Sequence, residues 1–71
     1  MKKGDVVRCV DAKKHKYLTN GKNYEVSAGD GDNGKFGHIC GDIGFEIIND
    51  DGEAIFQCRL DGLHGLFEVH K

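Results

Sequence analysis

An all-β fold, a small and partly open five-stranded barrel, is predicted by three observations. Short β-branched or aromatic runs with two-residue alternation recur along the 71 residues. Eleven glycines, with no proline and no tryptophan, predict many turns rather than long helices. A central hairpin, Phe45–Asn49 against Ala54–Leu60, closes around Asp51-Gly52, a pair that accepts the positive φ of a tight turn.

Taken in order, Gly4-Asp5-Val6-Val7-Arg8-Cys9-Val10 reads as the first strand, with Val7 and Cys9 on one side and Val6, Arg8 and Val10 on the other. Residues 11–16 form a polar loop rich in positive charge. Tyr17 and Leu18 anchor an Asn20-Gly21 turn, and the second strand follows with Tyr24, Val26 and Ala28 on one face. Six glycines between Gly29 and Gly44 predict a mobile loop, with a short strand around Phe36–Cys40. With Asp51-Gly52 as a two-residue turn, 48 faces 55, 47 faces 56 and 45 faces 58. Phe45, Ile47, Phe56 and Cys58 then point inward, and Glu46, Ile48, Ile55 and Gln57 outward. Asp61–Gly65 reads as a turn or single 3₁₀ turn, and Leu66–His70 as the last strand with Phe67 and Val69 inward.

Such a length fits one domain, residues 1–71, near the lower limit for a self-sufficient core. A surface site is therefore expected rather than a deep catalytic cavity. No signal-peptide h-region or spanning run follows Met1-Lys2-Lys3, and three cysteines fit reduced thiols, so a cytoplasmic protein without membrane contact is expected. Charge is lopsided: residues 1–24 hold seven Lys/Arg against two Asp, whereas 25–71 hold three against ten Asp/Glu.

The opening strand resembles that of SH3-like barrels. Residues 11–21 sit where those barrels carry their first long loop, and Asp61–Gly65 where they place a one-turn helix. The runs Lys16-Tyr17-Leu18-Thr19, Gly21-Lys22, Tyr24-Glu25-Val26, Phe45–Glu53 and Phe67-Glu68-Val69 are together similar to a family of small bacteriophage proteins, most without assigned activity. This resemblance covers nearly all of the chain outside 29–42. It implies a five-stranded SH3-like barrel with a long Gly-rich loop and a short 3₁₀ turn before the last strand, encoded by a phage. With just Tyr17 and Tyr24 available for an aromatic groove, a Pro-rich ligand is not expected.

Several motifs carry chemistry on paper. Gly29-Asp30-Gly31-Asp32-Asn33-Gly34 matches G-x-G-x-x-G, but no helix follows and both aspartates repel an anion, so a turn is the better account. As a calcium loop it lacks the glutamate at position twelve, where Gly41 stands. His38 and Cys40, with Cys9, Cys58, His15, His64 and His70 elsewhere, supply one ligand pair where zinc sites use two. Cys40 with His38 as base and Asp42 nearby lacks a recognisable oxyanion hole. No catalytic residue, metal or cofactor is therefore expected.

Two binding readings remain. The first is a non-catalytic module that docks on a host or phage protein, self-association being one version. Its contacts would be Ile48 and Ile55 across the outward hairpin face, with Tyr17, Leu63 and Leu66. The rival is a nucleic-acid-binding module in which Lys13, Lys14 and Lys16 meet phosphates and Tyr17 stacks on a base.

Overall fold

Alternation in the first two strands is realised in the computed structural model, which describes residues 1–39 and 43–70. In β1 (Val6–Asp11) Val7 and Cys9 are fully buried while Arg8 and Val10 face solvent. In β2 (Asn23–Ala28) Tyr24, Val26 and Ala28 are buried. Five further strands follow: β3 (Asn33–Gly34), β4 (Gly37–His38), β5 (Phe45–Ile48), β6 (Ala54–Gln57) and β7 (Leu66–His70). The main sheet is antiparallel in the order β6-β5-β2-β1-β7 and curls into a half-barrel, and β3-β4 form a separate two-stranded ribbon. Register shifts between Val26 and Ala28 and between Cys9 and Asp11 sharpen the twist that this curl needs. Inside it lie Val7, Cys9, Leu18, Tyr24, Val26, Phe45, Ile47, Ile55 and Phe67.

The central hairpin forms, but one residue out of the expected register. Ile48 pairs with Ala54, Ile47 with Ile55, Glu46 with Phe56 and Phe45 with Gln57. Gly52 N–H donates to the Asn49 carbonyl (3.0 Å), Asn49 N–H donates to Glu53 (2.9 Å), and Gly52 has φ +80°. Residues 49–52 are therefore a type I turn followed by a left-handed glycine, a three-residue connection rather than a two-residue one. Asn49 Oδ1 fixes it by accepting from Asp51 and Glu53 N–H. β5 keeps its expected phase, and β6 is reversed. Ile55 and Gln57 are buried, Phe56 is half-exposed and Cys58 is exposed.

Two other expectations are corrected and a third is met in part. Val69 lies opposite Val7 yet remains 46% exposed, because β7 is an open edge of the curl. Residues 58–65 form a bend closed by an Asp61–Leu66 bridge, with no 3₁₀ turn. In the glycine-rich stretch β4 falls inside the short strand expected around Phe36–Cys40, but residues 31–39 are a tied ribbon rather than a bare loop: Gly37 (φ +126°) turns it, and the bonds Gly31 N–Ile39 O and Ile39 N–Asp32 O, each 2.9 Å, join its two arms. Cys40 and Asp42, weighed above as nucleophile and neighbour, lie outside the described residues.

Asp50 fastens the hairpin tip to the long first loop. Its carboxylate accepts from Thr19 Oγ1 (2.7 Å), Lys22 Nζ (2.5 Å) and Tyr24 Oη (3.0 Å), and its N–H donates to the Tyr17 carbonyl (2.8 Å). Lys22 and then Thr19 hold the carboxyl well below its ordinary 3.8, at about 2. A carboxyl depressed by folding contributes stability that is complete above its unfolded pKa and is lost as pH falls toward the folded one. Part of the acid unfolding between about pH 4 and pH 2 is therefore expected to depend on Asp50. Asp50→Asn should flatten the stability–pH curve in that window, as followed by circular dichroism.

Candidate binding groove beside β6

The reversed phase of β6 turns Phe56 outward, where it separates two depressions that it also lines. The larger, a groove of about 540 Å³, runs from Phe56 past Cys58 and Arg59 to Leu63, His64 and Lys13. Its wall is the 58–65 bend, and Gln57 builds that wall from below. Gln57 Oε1 accepts from His64 and Gly65 N–H, both at 2.9 Å, and Nε2 donates to the Arg59 carbonyl at 3.0 Å. A buried amide is thereby satisfied, and a bend with no regular structure gains fixed geometry. Gly62 packs so closely on this amide that a Cβ would come within 2.7 Å of its carbon.

At the far end Lys13 ion-pairs with Asp61 and donates to the Gly62 carbonyl (3.0 Å). Leu63 stands at the crest, 96% exposed. The His64 ring meets His15 edge-on with centroids 5.5 Å apart. Burial, and then the charge of His15, push the His64 imidazole below its usual range.

A smaller pocket of about 130 Å³ lies between β6 and the ribbon, lined by Phe36, His38, Ile39, Glu46 and Phe56. Glu46 is 6% exposed. Its Oε1 accepts from Ser27 Oγ (2.9 Å) and its Oε2 from Lys35 N–H (2.7 Å). Phe36 is largely exposed, with Lys35 Nζ 5.9 Å from its ring centre.

These depressions do not coincide with the residue set expected for partner binding. Leu63 alone of that set lines the groove. Ile55 is in the core, because the three-residue turn moved β6 by one position, so no outward Ile48–Ile55 pair exists. Ile48 is exposed near the hairpin tip, opposite Ala54. Tyr17 is partly exposed, with Lys16 Nζ 5.6 Å from its ring centre, and Leu66 is half-buried. Within the basic loop Lys13 is paired with Asp61, and Lys13 and Lys14 both adopt positive φ. Sequence reasoning missed Phe36, Phe56, Glu46 and Gln57. The Asn49-Asp50-Asp51-Gly52 run held the signal, since Asn at the first and Gly at the fourth position mark a type I turn.

The other motifs resolve into structure. All four amides of residues 29–32 are taken by protein acceptors: Asp32 Oδ2 and the carbonyls of Met1, Ile39 and Gly29. Among the described residues no group of three or more His, Cys, Asp or Glu side chains is arranged to hold a metal ion. His38 Nδ1 donates to Asn33 Oδ1 at 3.0 Å. Cys9 is sealed in the core, and desolvation, followed by the charges of Asp11 and Asp50, pushes its thiol up. Cys58, expected inward, is exposed instead. In a Cys40→Ser background one equivalent of maleimide is expected to react with the folded protein, at Cys58. A second should react after unfolding, as read by intact mass.

The fold and surface together define an all-β half-barrel with an apolar groove beside one sheet edge. No protein-family model, curated protein or solved structure matches the chain.

Proposed function

We propose that this chain is a non-catalytic interaction module, an SH3-like barrel of phage origin, that docks on a host or phage protein in the cytoplasm and modulates it by occupancy. The observation that carries this reading is the apolar strip around Phe56. Phe36 and Leu63 line the two depressions on which Phe56 borders and are 66% and 96% exposed. Large side chains so exposed on a small domain mark an interface when they gather at concave surface. The opening strand, the long first loop and the bend before the last strand support the SH3-like element of the reading. The docking surface differs from the hairpin face expected from sequence, since Ile55 is withdrawn into the core.

Tagged protein should capture a partner by affinity purification, and the partner, once identified and purified, should bind wild type directly. Leu63→Asp should abolish that binding and Ile48→Asp should leave it intact. Equal binding by both variants would overturn the assignment of the surface. The nucleic-acid rival predicts instead salt-sensitive binding of labelled DNA or RNA that Lys14→Ala/Lys16→Ala removes. The pairing of Lys13 with Asp61 speaks against it.

A further inference from the structure

We propose that the 130 Å³ pocket between the ribbon and β6 receives the guanidinium of an arginine side chain presented by the partner protein. The inference deepens the interaction reading and rests on it.

Three features of the pocket converge on that occupant. First, Glu46 is a carboxylate 6% exposed, and among the described residues no cation pairs with it. A buried carboxylate ordinarily has a positive partner. Lys35, the nearest in sequence to the ribbon tip, holds its ammonium over Phe36 and donates to Glu46 through its backbone alone. Second, each carboxylate oxygen accepts one side-chain or backbone donor, from Ser27 Oγ and Lys35 N–H. One further acceptor position is left on each oxygen, the arrangement that a guanidinium fork fills with two parallel bonds. Third, two aromatic residues, Phe36 and Phe56, line the pocket beside Glu46, and aromatic faces attract cations and accept a flat guanidinium by stacking. Lysine would present a compact, strongly hydrated charge and use neither the plane nor the fork.

The test is a titration of ¹⁵N-labelled protein with N-acetyl-arginine methylamide, following the Gly34 and Gly37 amides at the pocket rim. Saturable shifts are expected, with the neutral citrulline derivative at least about tenfold weaker. Glu46→Gln should weaken arginine binding by about tenfold or more, and Phe36→Ala several-fold. If Glu46→Gln does not fold, Phe36→Ala decides, since that ring is largely exposed. Equal binding of citrulline, equal binding of the lysine derivative, or indifference to both substitutions would overturn the proposal. A purified partner that binds Glu46→Gln as tightly as wild type yet fails to bind Leu63→Asp would sink the arginine pocket and keep the interaction reading. Arginine binding lost in Glu46→Gln would uphold the pocket even where Leu63→Asp leaves partner binding unchanged.

Discussion

Phe67→Ala is expected to lower the free energy of unfolding by about 3–5 kcal/mol. Phe67 is 2% exposed and stands edge-to-face with Tyr24 and Phe45, at centroid distances of 6.4 and 5.6 Å. Removing the ring leaves a cavity beside both aromatics and beside Leu18, which neighbouring strands cannot close without breaking the β1–β7 ladder. At about 0.05–0.15 kcal/mol per residue, a chain of this size has about 4–11 kcal/mol in all. The loss is a large fraction of that total, enough to unfold the chain outright at the low end of the range. Urea titration by fluorescence of the two tyrosines measures it, and a midpoint within experimental error of wild type would show that Phe67 does not anchor the core.

The second large effect is expected at Gln57. Gln57→Leu keeps the volume but strands the His64 and Gly65 N–H groups and the Arg59 carbonyl. An orphaned buried donor costs about 1–3 kcal/mol, so two give a loss of about 2–6 kcal/mol. Gln57→Glu keeps both acceptor positions but places an unpaired carboxylate at a site 4% exposed and against the Arg59 carbonyl, so it should be destabilising as well. Hydrogen exchange distinguishes this from general destabilisation. In Gln57→Leu the His64 and Gly65 amides should lose protection at a denaturant concentration where Val26 and Ile47 remain protected. Uniform loss across all four would assign Gln57 an ordinary core role.

The sequence makes some of this legible and hides the rest for physical reasons. Val7 and Cys9, Tyr24 and Val26, and Phe45 and Ile47 obey simple alternation because each strand is buried on one face and open on the other. β6 defeats the same reasoning because both of its possible faces are plausible. Ile55 with Gln57 looks no more like a core than Phe56 with Cys58, and polarity favours the wrong one. What decides is a single left-handed residue, Gly52, and the Asn49 side chain that fixes the turn. Burial of Gln57 is a tertiary event, since its donors and acceptor come from the bend at 59–65. The pocket was invisible for a related reason. Phe36 and Glu46 meet because the ribbon folds back over the outer side of β2 and β5, which no local pattern announces.

The ribbon tip has a practical corollary. Lys35 and Phe36 sit between the paired Gly34 and Gly37, at the end of a two-stranded arm outside the main curl. Foreign sequence spliced there would meet open solvent on its far side and leave the half-barrel interior untouched. A peptide tag inserted after Lys35 should thus yield a protein that melts like the parent while its arginine pocket is dismantled. That product would serve as a folded blank against which the arginine signal can be read.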